Sequence, residues 1–411
     1  MTSELQRLVL AALGEAAPAA LDWARIVIYR NEAPVPPSRR PAGDHAWNRG
    51  FHALIVEPGG HSRYFCSCRP ANDEALQRAS RIREALSAHP DLAAHVPWTR
   101  SARGAVIQVQ VSAYVSGSLY ETDLRSSSVA AWGRTAEEVL LTAEHITGCA
   151  ARDLTGLWSA VAAVDLAAAG EAPLAHLAAA GVRPDRLAAL RRALARVGRV
   201  PGRLQHGDLW PGNVLHHGDS WWLLDYELFG EVRVPLYDAL HLLRTSDRIR
   251  RPRAGTWVAS LMDETAETAA TRDILGRVAR RHGLVPEQVA AAFVYYIVDV
   301  AARSWRRQVA EDFWEPVLAE AETVADLEAS GVSMACMLLG DSAAGGAPTS
   351  VTSAPVEDGA VIGDPAPLSH AGLHELVYAA GIVLSKIGAF IMLPMYARFL
   401  IELALEVASI G

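Results

Sequence analysis

Near residue 117 the hydrophobic period of the chain changes from two to 3.6, and this switch limits the fold more than any other feature. Residues 105–117 (AVIQVQVSAYVSG) alternate apolar and polar side chains, as a strand with two unlike faces must. Residues 24–29, 51–57 and 63–68 also read as strands, and Gly59-Gly60 between the last two is a hairpin signal. One helix interrupts them: Asn72 is its cap, Leu76, Ala79, Ile82 and Leu86 lie on one face, and it stops before Pro90. From residue 135 to about 200 the pattern is helical and rich in alanine. Short strand-like pieces return at 213–216 and 221–225. Helical signals then run from 236 to about 339, broken near Pro252, Pro286 and Pro316. Strands gathered early and helices gathered late predict an α+β fold of two lobes, a small β-rich one (1–117) and a larger helical one (118–339).

The bulk properties exclude several classes. At 411 residues, of which 51% are apolar, the chain is long enough for a large core. A net charge of -8 gives no footprint for nucleic acid or for an anionic membrane as main partner. Four cysteines (Cys66, Cys68, Cys149, Cys336) lack the paired spacing of a zinc site and are read as small buried hydrophobes in a reducing compartment. The N-terminal residues, with Glu4 where a signal peptide carries basic groups, read as an amphipathic helix, and the expected location is cytoplasmic. The one lysine of the chain is Lys386, so the body has neither a Gly-Lys-Ser/Thr phosphate loop nor a Schiff-base lysine.

Chemistry concentrates in residues 205–226, QHGDLWPGNVLHHGDSWWLLDY. Phosphoryl transfer needs a carboxylate to orient the acceptor hydroxyl and take its proton, and oxygen ligands to hold Mg2+ against nucleotide phosphates. Asp208, Asn213 and Asp225 carry such oxygens. Asp208 and Asn213 are five apart across a loop pinned by Pro211 and Gly212, and a hairpin would bring Asp225 beside Asn213. His216, His217 and His241 with Asp219 or Asp225 form the zinc alternative. It is disfavoured because adjacent strand residues point to opposite faces. Trp210 either touches substrate or packs in the core, and Glu227 either assists the metal or faces solvent.

HGDLWPGNVL followed by WWLLDYE resembles the catalytic and metal-binding segments of the aminoglycoside phosphotransferase and choline kinase-like family. These are small-molecule kinases with a protein-kinase-like fold. The resemblance implies that Asp208 is the catalytic base, Asn213 and Asp225 are the Mg2+ ligands, His206 fixes the loop, and Asp238 in VPLYDALHLL is structural support. More weakly it extends over residues 20–330. There, the 72–88 helix implies Glu84 as partner of the strand's basic residue. VQVSAYVSGSLY implies a hinge strand whose backbone, at Val111 and Ala113, holds the adenine of ATP. Two departures stand out. The family's strand lysine is replaced by Arg69, whose planar fork is not equivalent to an ammonium, and the glycine-rich loop is reduced to Gly50 in WNRGFHAL. The implied function is transfer of the ATP γ-phosphate to a hydroxyl of a sugar, aminoglycoside or amino alcohol. The alternative is a non-catalytic kinase-like binding module tethered to a membrane or polysaccharide-export assembly.

Residues 340–370 are a linker by composition. Residues 371–411 follow as a hydrophobic helix. The eighteen residues 376–393 would span ~27 Å as a helix, close to the ~30 Å of a bilayer core. Nine Leu, Ile, Val and Phe side chains there are nearly cancelled by Lys386, so hydropathy leaves membrane contact and packing on protein both open. The tail resembles the first membrane helix of polysaccharide flippases.

Overall fold

The structure, a computed structural model, describes residues 2–14, 27–30, 51–56, 62–158, 161–252, 255–306 and 311–340. The Gly59-Gly60 turn, Gly50, the linker after Gly340 and the hydrophobic tail lie outside the described residues. The chain is α+β and divides into two compact units. Of the described residues, one unit takes those up to Glu74 with Arg100–Tyr114, and the other takes Ala75–Thr99 with those from Val115 to Gly340.

The first unit is a five-stranded sheet of β1 (Val27–Arg30), β2 (Phe51–Val56), β3 (Ser62–Pro70), β4 (Thr99–Arg103) and β5 (Ile107–Ala113), in the order β1-β2-β3-β5-β4. The β1/β2, β2/β3 and β3/β5 pairs are antiparallel, with Cys66 opposite Val111 and Arg69 opposite Gln108. Helix α1 (Thr2–Leu13) packs on β5 and buries Leu8, Val9, Ala12 and Leu13, a stripe at helical spacing. Strand β5 is buried from Ile107 through Ser112. Its polar members are satisfied accordingly: the Gln108 amide donates to the carbonyls of Pro70 (3.0 Å) and Asp73 (2.7 Å). Strand β4, TRSAR, has no apolar alternation because it is an edge strand, mostly exposed beyond Thr99, and sequence pattern passes it by.

The second unit begins with α2 (Glu74–Ala88). This helix lies in the predicted span but belongs to the helical unit. Ile82 and Leu86 enter the same apolar core as Trp132, Leu140 and Leu223, and Arg78 donates to the Phe229 carbonyl (2.8 Å). Next come β6 (Ser118–Leu119), α3 (Tyr120–Leu124), α4 (Val129–Asp153), β7 (Val164–Asp165), α5 (Leu166–Ala179), α6 (Pro184–Val197), β8 (Arg199–Val200), β9 (Val214–His217) and β10 (Ser220–Leu223). The remaining helices are α7 (Tyr237–Arg250), α8 (Trp257–Ser260), α9 (Ala266–Arg281), α10 (Pro286–Arg306), α11 (Glu311–Ala329) and α12 (Met334–Leu339). Pro286 opens α10, where a missing N–H costs nothing. Pro316, by contrast, does not break the chain as its residue type predicts; α11 runs through it, as α5 runs through Pro173. Pro316 is the sixth residue of its helix and Pro173 the eighth, both beyond the four N-terminal N–H groups that lack an intrahelical partner, so each removes one bond that packing must offset.

What this unit does for its polar segment is to clamp it. β9 and β10 form the hairpin expected from 213–225, and β6 adds a third strand on β9. From α2's side, His95 receives the Leu223 amide on its carbonyl (3.0 Å), and its Nδ1 meets the Trp221 carbonyl at 2.9 Å. From below, α7 presents Asp238 in its first turn. Among the described residues no single helix is long and apolar enough to cross a membrane.

Candidate active site

The loop 205–213 is held by backbone bonds rather than by its own propensity. Asp238 accepts from the amides of His206 (2.6 Å) and Gly207 (2.8 Å), while its own amide donates to Gln205 Oε1 (2.9 Å). The Gln205 carbonyl in turn accepts from Gly230 (2.8 Å). Gly207 has φ +83, and a Cβ there would lie 2.7 Å from the Leu228 carbonyl oxygen, so both conformation and space demand glycine. Burial, opposed by the two amide bonds and reinforced by nearby Asp208, pushes the Asp238 carboxyl up to about 7.

After this anchor the chain knots. The Trp210 amide donates to the Asp208 carbonyl (3.0 Å) and the Asn213 amide to the Trp210 carbonyl (2.8 Å), around a single 3-10 turn that Pro211 opens. The Trp210 indole lies across Gly212, where a Cβ would come within 2.2 Å of the ring. Of the two readings of Trp210, the structure displays this packing.

The knot brings Asp208 and Asn213 together. Asn213 Nδ2 donates to the Asp208 carbonyl (3.0 Å) and to its Oδ2 (3.2 Å). Both are acceptors, so the amide must turn its NH2 toward them, and Oδ1 faces the other way. That Oδ1 is buried and has no hydrogen-bond partner among the described residues. A carbonyl oxygen in that position costs about 1–3 kcal/mol unless something else is bound to it.

The hairpin register pairs Val214 with Leu223, and the Leu224 amide donates to the Asn213 carbonyl (2.8 Å). Asp225 therefore follows directly on the residue bonded to Asn213. Its φ is +58, one of two positive values among described non-glycine residues, the other being Leu236 at +67. A left-handed aspartate is strained, and such strain persists where surrounding contacts fix it, commonly at functional sites. Asp225 Oδ1 accepts the Glu227 amide at 3.4 Å. Two oxygen donors, the Asn213 amide oxygen and the Asp225 carboxylate, suit a hard divalent cation such as Mg2+.

Behind these groups sits a packed ring cluster. The His206 imidazole is fully buried, with ring centroids 5.0 Å from Tyr226 and 6.3 Å from Phe229. Burial lowers its pKa to about 4 against the pull of Asp208 and Asp225, so the ring is neutral at pH 7. It is a wall for the two aspartates rather than a proton carrier.

Sequence reasoning missed Arg83 and named His241 only in the zinc alternative. Arg83 of α2 places its guanidinium over the Tyr226 ring (5.6 Å) and feels the charges of Asp225 and Glu227, which oppose the lowering of its pKa by burial. His241 of α7 lies with Nε2 3.4 Å from Asp208 Oδ1 and Nδ1 3.1 Å from the Tyr296 hydroxyl. The signal for His241 was available: it stands three residues after Asp238, on the same helical face. The zinc alternative does not assemble: His216 stacks on Trp221 at 4.4 Å, His217 is exposed and His241 faces Asp208.

The predicted nucleotide-side residues are divided between the two units. Arg69 is the penultimate residue of β3, with Nη1 4.0 Å from Asp73 Oδ2. Val111 is buried within β5 and Ala113 ends it. Glu84 is half-buried on α2 and so belongs to the helical unit, whereas Arg69 belongs to the sheet unit.

No known family pattern and no curated protein matches the chain. Solved structures similar to it include an aminoglycoside phosphotransferase from Alicyclobacillus acidocaldarius, 15% identical with a TM-score of 0.43, covering 79% of this chain and 98% of that one. A choline kinase from Cryptosporidium parvum is 10% identical with a TM-score of 0.47, covering 79% and 95%. A glucosamine kinase is 16% identical with a TM-score of 0.43, covering 80% and 83%. The functional reading rests on the geometry of the site itself.

Proposed function

We propose that the chain is a small-molecule kinase that moves the γ-phosphoryl group of ATP to a hydroxyl of a sugar, aminoglycoside or amino alcohol. The observation that carries this reading is the buried, unpartnered Oδ1 of Asn213, aimed away from Asp208 and one hairpin bond from Asp225. The motif resemblance of 205–227 points to the same roles.

Asn213 Oδ1 and Asp225 would hold Mg2+, which, when bound, neutralises charge on the nucleotide phosphates. The chain's own groups do the rest. Asp208 orients the acceptor hydroxyl and takes its proton as the new oxygen–phosphorus bond forms and ADP leaves. Asn213 Nδ2, bonded to Asp208 Oδ2, stops the carboxylate from rotating out of position. The bonds from His206 and Gly207 to Asp238 hold the loop that carries both. In the sheet unit, the β5 backbone around Val111 and Ala113 would receive the adenine and Arg69 would face the phosphates; Glu84, expected from the motif resemblance as the partner of that basic residue, belongs to the helical unit.

The binding-module reading draws on one observation: Arg69 sits beside Asp73, so the cation that replaces lysine has a local carboxylate neighbour. Thermal unfolding separates the two. A kinase is stabilised by ATP with Mg2+, by about 2.7 kcal/mol at a hundred times Kd, and Asp225→Ala abolishes the gain. No shift in the wild type favours the binding module. An ATP-consumption screen over amino sugars, simple sugars and amino alcohols then assigns the acceptor. ATP as donor fits a cytoplasmic protein. Cell fractionation of the chain with and without residues 371–411 tests membrane association through the tail.

A further inference from the structure

Beneath Asp208 runs a line of half-buried and buried polar groups that the reaction outlined above does not use. His241 Nε2 is 3.4 Å from Asp208 Oδ1, and His241 Nδ1 is 3.1 Å from the hydroxyl of Tyr296 on α10. The Tyr296 hydroxyl faces the guanidinium of Arg244, one turn further along α7. Arg244 Nε donates to Glu320 Oε2 of α11 at 2.6 Å, and Glu320 Oε1 accepts the Trp257 amide at 3.0 Å. Tyr296, Arg244 and Glu320 are each no more than 2% exposed. Four helices thus contribute to one chain of groups that ends on the candidate base.

The chain has a direction. Arg244 carries N–H groups and no acceptor, so the phenol oxygen turns its lone pairs to the guanidinium and its O–H toward His241. Burial raises the Tyr296 pKa, so the phenol keeps its proton. Nδ1 of His241 must then accept, and a neutral imidazole that accepts at Nδ1 carries its hydrogen on Nε2. That hydrogen faces Asp208. The other charged or titratable groups around it, Tyr237 stacked at 6.3 Å and Asp238 on the same helix, do not alter this polarity.

We propose that His241 is a positioning residue for Asp208, fixed as its Nε2–H tautomer by Tyr296 and Arg244, so that Asp208 is gripped on both oxygens. Asn213 holds Oδ2 and His241 holds Oδ1. The 3.4 Å separation is longer than a closed charge-assisted bond, and closure is expected when substrates bind, as catalytic contacts commonly tighten then. Catalytically, this inference rests on the kinase reading; structurally, the tautomer does not.

Two measurements on the full chain test it. In 15N-histidine-labelled protein, the His241 signal, identified by its loss in His241→Gln, should show a protonated Nε2 and an unprotonated Nδ1. Tyr296→Phe should allow the other tautomer. In ATP turnover, His241→Ala should lower kcat by about ten- to a hundredfold, the worth of one charge-assisted bond, with KM for ATP changed less than about twofold. His241→Gln, which keeps an N–H near the Nε2 position, should recover most of the rate. A protonated Nδ1 in the wild type overturns the proposal, as does wild-type kcat in a folded His241→Ala protein. Absence of ATP turnover in the wild type sinks the kinase reading instead, and the tautomer still decides whether His241 donates to Asp208.

Discussion

Asp225 and Arg69 both stand near the end of a β-strand, and both come from residues whose type and place suggested chemistry. Their surroundings differ. Asp225 lies two residues past β10, in a left-handed turn, and the hairpin ties its neighbour to Asn213. Arg69 stays within regular β3, in register with Gln108, beside Asp73 four residues on. A strand sends successive side chains to opposite faces and offers no convergence of its own. The irregular segment 205–225, by contrast, aims several groups at one place because Asp238 and the hairpin impose its path. Within the helical unit the candidate site is over-determined, whereas in the sheet unit the expected phosphate contact depends on a single side chain.

If this contrast is sound, substitutions at the two positions must differ in scale. Asp208→Asn should lower kcat by about a thousandfold, the usual range for a positioned general base, with little change in melting temperature. Asp225→Ala should do the same and also remove stabilisation by ATP with Mg2+. Arg69→Ala should cost far less, about tenfold in kcat/KM, the effect of one partly exposed charge. Equal losses at Asp225 and Arg69 would erase the distinction.

Smaller effects concern the support of the loop. His206, with its pKa lowered to about 4 from an unfolded 6.5, contributes stability that is complete above pH 6.5 and disappears as the pH falls toward 4. The loss amounts to about 3 kcal/mol. Asp238, raised to about 7, acts in the opposite sense, since the folded protein binds its proton more readily between pH 3.8 and 7. The difference between wild type and His206→Gln isolates the histidine. Urea unfolding from pH 4.5 to 7.5 should show the wild type losing ground to the variant as the solution is acidified, and parallel curves would contradict a neutral buried imidazole. Gly207→Ala should destabilise by about 2 kcal/mol or more, because the added methyl meets the Leu228 carbonyl in a left-handed conformation. A nearly unchanged midpoint would show that the loop can relax, and would weaken the claim that Asp238 fixes its path.

Much of the site was legible before folding. Asp208, Asn213 and Asp225 lie within eighteen residues, and Gly-x-x-x-Pro-Gly spacing with two short strands is a local pattern that local hydrogen bonds realise. Two other features depended on distant contacts. Helix α2 reads from sequence as part of the β-rich lobe, since strands flank it, yet Ile82 and Leu86 enter the helical core. Strand β4 is invisible to periodicity because one edge of the sheet needs no apolar face. Pro316 reads as a break, and helix α11 continues because flanking packing around Val317 and Ala321 outweighs one lost bond.

By itself, the sequence determined which groups offer oxygen donors for the proposed ligands and base, their spacing, and the order of strands and helices, because periodicity and turn chemistry act over a few residues. Tertiary structure decided that Asn213 turns its amide oxygen away from Asp208, that Arg83 faces Asp225 and that His241 stands beneath Asp208. Those relations join residues as far apart as Arg83 and Asp225, or His241 and Glu320 through Arg244. Hydrogen-bond direction and burial there are set only once separate helices have packed.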